Sequence, residues 1–172
     1  MKKLLFILLS ALLCLGLLSS CGGTDGGKTG LREITWGMTR SEVRKAETAE
    51  FVGADDGYLR FYDKDTKQPI VFLGVNTRNK VDLWYYFNSE DKLYKIEYRL
   101  SHKQVTDVSY KHVRELMNDL YGQPYQADVK DPEDENVISS SWKNAKSDIT
   151  LTFHNAEEGK TRSLFVTFLP NN

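Results

Sequence analysis

The sequence predicts an α+β domain in which an antiparallel sheet carries two helices packed on one face. Three observations lead there. Two stretches place apolar residues at helical spacing, the stretches between and after them change to a period of two, and short polar turns join neighbouring strands. An aromatic fraction of 12% in 172 residues leans toward sheet as well.

The chain begins with Lys2 and Lys3, an apolar run from Leu4 to Leu18, and the small residues Ser19 and Ser20 before Cys21. A charged start, an apolar middle and a small-residue end make residues 1–20 an export leader. The run falls short of the roughly 18 to 20 residues that cross a ~30 Å hydrocarbon layer, and no second such run follows. Leu18-Ser19-Ser20-Cys21 resembles the bacterial lipobox. That resemblance implies a diacylglyceryl group on the Cys21 sulfur, cleavage on its N-terminal side and lasting attachment to a membrane. Cys14 leaves with the leader, so Cys21 is the single thiol of the mature chain and no intrachain disulfide can form. Gly22, in place of an aspartate, points to the outer membrane with the domain facing the periplasm. The glycine-rich stretch to Gly30 makes residues 21–30 a flexible tether, and residues 31–172 form a single domain.

Thr39-Arg40-Ser41-Glu42 is a capping box, and Val43 and Ala46 give the helix behind it an apolar side, so a helix is expected to about Glu50 with Trp36 as its lid. Strands are expected at Tyr58 to Asp63, Pro69 to Val75, Val81 to Asn88 and Leu93 to Leu100, the last two joined through Ser89-Glu90-Asp91-Lys92. In the fourth of these, Tyr94, Ile96, Tyr98 and Leu100 read as one face. Val113, Leu116, Met117 and Leu120 define a second helix that stops at Gly122 and Pro124. Gln126 to Asn136 has acids but no apolar period and reads as a loop, whose acids lack the glycine and terminal glutamate of a hand-type calcium site. Val137 to Lys143, Ile149 to His154 and a strand beyond Thr161 complete the sheet. The order suggests a tandem helix-plus-hairpin pseudo-repeat, in which Val43-Arg44 parallels Val113-Arg114 and Trp84-Tyr85-Tyr86-Phe87-Asn88 echoes Leu151-Thr152-Phe153-His154-Asn155.

Trp36-Gly37-Met38-Thr39-Arg40-Ser41-Glu42-Val43 resembles the glycine-methionine-threonine-x-x-x-valine opening of SmpA/OmlA-type outer-membrane lipoproteins, accessories of β-barrel assembly. The tandem order is similar to the β-lactamase-inhibitor-protein fold, with two helix-plus-sheet units side by side. Leu120-Tyr121-Gly122-Gln123-Pro124 carries the helix-closing pattern of such families, whereas Phe51-Val52-Gly53-Ala54 lacks its proline. What the resemblance implies is a protein-binding envelope module without catalysis.

Chemistry is sparse along the chain. His102, His112 and His154 sit in no nucleophile or metal motif, Asp55-Asp56 and Glu157-Glu158 read as turns, and Gly22 to Gly30 neither follows a strand nor opens a helix. The expectation is therefore no catalytic residue, no metal and no cofactor. The net charge of −1, about −3 once Lys2 and Lys3 are cleaved off, comes from mixed acids and bases and argues against nucleic acid. One surface stands out. If Leu83, Tyr85 and Phe87 face the core, Trp84 and Tyr86 face away from it, with Phe72, or Val71 and Leu73, beside them on the preceding strand. The expected role is a binding or scaffold domain that meets another envelope protein; the alternative is a small-molecule or lipid carrier whose cleft these aromatics line. An enzyme would need polar groups from distant segments to converge.

Overall fold

Thr39 opens the first helix, α1 (Arg40–Ala46), by the reciprocal bonding expected of it. Its hydroxyl accepts from the Glu42 N–H at 3.4 Å, and the Glu42 carboxylate accepts from the Thr39 N–H at 2.8 Å. The helix does not reach Glu50. Glu47 is already extended, and its carboxylate accepts from the Ala49 N–H at 2.7 Å and the Tyr85 hydroxyl at 2.5 Å. Those bonds draw the chain out of the helix, and Glu50–Asp55 becomes a strand.

The computed structural model describes residues 33–62, 71–72, 75–76, 81–101, 107–155 and 162–171. The leader, Cys21, the tether, Leu73, His102 and Glu157-Glu158 lie outside them. Among the described residues there are two helices and ten strands: β1 (Glu50–Asp55), β2 (Tyr58–Tyr62), β3 (Val71–Phe72), β4 (Val75–Asn76), β5 (Val81–Phe87), β6 (Leu93–Ser101), α2 (Asp107–Tyr121), β7 (Gln126–Lys130), β8 (Val137–Lys143), β9 (Ser147–His154) and β10 (Ser163–Pro170). The class is α+β and mostly sheet. Eight strands form one antiparallel sheet in the order β1-β2-β5-β6-β10-β9-β8-β7, while β3 and β4 pair only with each other.

That order is two four-stranded meanders joined by their last strands, β6 and β10, each meander preceded by a helix. The topology thus repeats. The residue echo read from the sequence does not, because Tyr85 and Phe87 are buried in the first meander and Leu151 and Phe153 in the second. Setting Trp84 against Leu151 aligns an outward position with an inward one.

Period-two alternation fixes which face is sealed. Register aligns Phe61, Leu83, Tyr98, Val166 and Leu151 across five strands, and all are buried. Val43 of α1 and Met117 of α2 join this core, as does Trp142 of β8, whose indole N–H donates to the Asn118 side chain at 3.1 Å and the Gly122 carbonyl at 3.0 Å. Gly122 takes φ +82°, which ends α2 where the sequence places its stop. The hairpin at Ser89–Lys92 also forms as read: Asn88 receives the Glu90 and Lys92 N–H groups on its side chain, and Asp91 turns at φ 58°.

Three strand readings are corrected. Leu93 is buried and Tyr94 exposed, since the register steps from Tyr86↔Lys95 to Phe87↔Leu93 and one extra residue shifts the phase. Pro69 to Val75 is not one strand of the sheet, since its described parts are the short β3 and β4. Gln126–Lys130 is a strand rather than loop; as an edge strand exposed at every position it has no apolar alternation to show, and a bulge at Asp128, φ 52°, interrupts its register. The remaining acids serve the turn beyond it, where Asp131 accepts from the Glu133 and Asp134 N–H groups and Asp134 accepts from Asn136. Trp36 packs against the core and reaches farther than its helix: its indole N–H donates to the Lys146 carbonyl and the Ser147 hydroxyl of the second meander.

Candidate functional site

The face opposite the core carries the residues between the buried ones, and on the first meander these are aromatic and charged. Register sets Arg60, Trp84, Glu97 and Thr167 in one row across four strands, with Tyr58, Tyr86 and Lys95 on one side of it and Asp82 and Arg99 on the other. Trp84 and Tyr86 therefore point away from the core, as the alternation of β5 predicts. Their strand neighbour is not the one expected. β2 lies beside β5, so Tyr58 occupies the place assigned to Phe72; β3, which holds Phe72, pairs with β4, and the Phe72 side chain lies outside the described residues.

The three rings form one cluster. Tyr58 lies 4.5 Å from Trp84 and 6.2 Å from Tyr86, and Trp84 stacks on Tyr86 at 6.1 Å with 19° between planes. Cations cover them: the Arg99 guanidinium is 4.2 Å and that of Arg60 5.3 Å from the Trp84 ring, and the Lys95 ammonium is 3.8 Å from the Tyr86 ring. The acids lie lower. Asp82 takes a two-oxygen bond from Arg60, at 3.0 and 2.9 Å, and Glu97 is bound by Arg99 and, at 3.4 Å, by Lys95. Glu97 keeps 11% of its side-chain surface against 25% for Lys95 and 32% for Arg99, so the bases stand above the acid that holds them. Burial, and after it the charge of Glu97, pushes the Tyr86 phenol above its ordinary range, so at neutral pH it stays a neutral hydroxyl beside the Arg99 guanidinium that donates to it. The Trp84 indole N–H is buried without an acceptor among the described residues. The arrangement is a stiff aromatic plate with fixed positive charge on top.

The sequence led to Trp84 and Tyr86 and missed Tyr58, Arg60, Lys95, Glu97 and Arg99. The signal was present in the shared parity of those positions, but it can be read only once strand partners and register are known.

A second polar cluster lies where α2 meets the far edge of the sheet. The Tyr110 hydroxyl, on a ring stacked against Phe153 at 5.9 Å, donates to Asp128 at 2.9 Å and contacts the Ser140 hydroxyl at 2.8 Å; Arg114 also binds Asp128. Burial pushes the Tyr110 phenol up to about 12 against the opposing bond from Ser140, whereas at Asp128 burial is outweighed by Arg114 and Tyr110, which hold the carboxyl below its ordinary range. A cavity of 440 Å³ opens beside them, lined also by Lys111, Lys130 and Ile138. Ile138 and Phe153 belong to the core face, so this cavity and Trp84 lie on opposite faces. The remaining histidines stand apart: His112 is exposed on α2, and His154 lies 3.3 Å from Asp134. Among the described residues no three histidine, cysteine, aspartate or glutamate side chains gather as a metal-binding group, and no helix is long and apolar enough to cross a membrane.

Fold and site together define a tandem antiparallel module with one sheet face buried in the core and the other carrying half-buried rings and charges. No protein-family model, curated protein or solved structure matches this chain.

Proposed function

We propose that this chain is a lipid-anchored protein of the bacterial envelope whose domain is non-catalytic and docks another envelope protein on the open sheet face. The observation that carries the docking is the ring cluster of Tyr58, Trp84 and Tyr86 under Arg60, Lys95 and Arg99. Tryptophan, tyrosine and arginine are the residues that supply most binding energy at interfaces, because stiff rings and planar guanidinium groups lose little freedom when covered. We further infer that both helices cover the other face. Glu47 behind α1 binds Tyr85, and Tyr110 and Asn118 of α2 meet Phe153 and Trp142, all sheet residues of the sealed side. With both helices there, the aromatic side is left for a partner.

The anchor rests on Leu18-Ser19-Ser20-Cys21 and the leader before it, and the glycine after Cys21 favours the outer membrane, facing the periplasm. Intact-mass analysis of the membrane-extracted protein is expected to find Cys21 N-terminal and acylated; an unmodified or leader-bearing Cys21 overturns the anchor. For the docking face, Trp84→Ala combined with Tyr86→Ala is expected to abolish crosslinking to the native envelope partner, with the circular dichroism of the fold retained. Undiminished crosslinking by a folded double variant removes the face from consideration.

A further inference from the structure

The cavity beside α2 is independent of the docking face and has its own chemistry. Its apolar lining comes from Ile138, Phe153 and the Tyr110 ring, and its volume of 440 Å³ falls among the roughly 300–1,000 Å³ typical of small-molecule sites. The wall holding Asp128 is rigid: that carboxylate is bound by Tyr110 and Arg114, and its own N–H donates to the Ser140 hydroxyl at 3.0 Å. Asp128 is thereby neutralised by the cavity's own groups. Lys111 and Lys130 also line the cavity, both exposed and neither in an ion pair among the described residues, while Glu135 is the other acid there. The Arg114 Nε is buried without an acceptor among the described residues. Beyond the Arg114–Asp128 pair, two ammonium groups face one acid, and this single surplus positive charge beside apolar side chains suits a ligand of matching polarity.

We propose that this cavity binds a small organic anion, an aromatic or branched carboxylate whose body lies on Phe153 and Ile138 and whose charge meets Lys111 and Lys130. Asn136 and Asn155 complete the lining.

The test titrates the isotope-labelled full-length chain in detergent solution with 2-naphthoate, following backbone amide resonances. Saturable shifts are expected at Asp128, Lys130, Asn136 and Asn155. The double variant Lys111→Glu, Lys130→Glu, altered only at exposed positions, is expected to bind at least about tenfold more weakly, and the neutral 2-naphthalenemethanol to bind wild type several-fold more weakly. Trp84→Ala with Tyr86→Ala is expected to leave the affinity for 2-naphthoate unchanged, which separates this site from the docking face. Absence of saturable shifts at those amides overturns the site. Affinity that survives the charge reversal overturns the assignment of an anion.

Discussion

The two meanders have the same topology and alternate in the same way, yet their open faces differ in chemistry. Along β5 every second residue is buried, and along β9 likewise. Outward on the first meander stand Tyr58, Arg60, Trp84, Tyr86, Lys95, Glu97 and Arg99; outward on the second are the hydroxyl residues Ser139, Ser141, Thr150, Thr152 and Thr167, with Asp148, His154 and a single ring, Phe165, among them. The second meander finishes most of this face with small hydroxyl side chains and gathers no cluster of rings there. The plate on the first therefore exceeds what folding requires, which is the physical reason for reading it as a contact surface.

Two tryptophans sharpen that difference most. Trp142 is 1% exposed with its indole N–H bonded twice, so Trp142→Ala is expected to cost about 3–5 kcal/mol in urea denaturation. Trp84 is half-buried on the outward face, its N–H without an acceptor among the described residues and cations above its ring, and Trp84→Ala is expected to cost about 1 kcal/mol. Equal costs would mean that the first meander's outer face is as tightly packed as the core, and the comparison would fail.

The same contrast explains what could be read from the sequence. Burial on one face writes itself into a strand as alternation, so β5, β9 and, beyond its bulge, β6 were legible, and with them the inward and outward assignment of Trp84 and Tyr86. Edge strands have no such signature. β7 is exposed throughout and β1 nearly so, which is why one was read as a loop and the other was not read as a strand, its first residue Glu50 being given to the helix. Cross-strand partners are a further step removed: nothing local to Val71-Phe72 says that they pair with Val75-Asn76 and not with β5, so Phe72 was set where Tyr58 belongs. The cluster around Tyr110 was invisible for another reason, because it depends on Asp128 adopting φ 52° at a bulge, and acids in a polar stretch look like turn residues.

The meanders also differ in how helix and sheet are tied by polar groups, and this difference is testable by pH. In the first, the carboxylate of Glu47 meets the phenol of Tyr85; in the second, α2 supplies the phenol of Tyr110 and the bulged edge supplies Asp128. Asp128 has its folded pKa depressed below the ordinary 3.8, so its contribution to stability is full above that value and is lost as pH falls through the folded pKa. Asp128→Asn keeps a residue suited to positive φ and is expected to be less stable than wild type by about 0.5 kcal/mol at pH 7, a value reduced by the carboxylate's partial exposure. Urea midpoints of the two proteins should converge as the pH is lowered below 4. A gap that persists undiminished at low pH would show that Asp128 acts through shape rather than charge.

The smallest effect belongs to the hydroxyl face. Thr150 and Thr152 are half-buried outward residues of β9 flanked by Ser141, Ser139, Thr167 and Phe165, and the Ser141 and Thr150 hydroxyls lie 3.3 Å apart. At that length the bond is weak, and β-branching supplies most of what threonine offers an exposed strand position. Thr150→Ala with Thr152→Ala is expected to change stability by about 0.5 kcal/mol and to leave envelope crosslinking at its wild-type level. Because the double change mirrors Trp84→Ala with Tyr86→Ala on the neighbouring meander, in strand position and in spacing, it controls for any general effect of trimming this face. Loss of crosslinking in the threonine variant would extend the contact surface across β10 into the second meander, and the excess of ring and charge on the first would then mark only its stronger half.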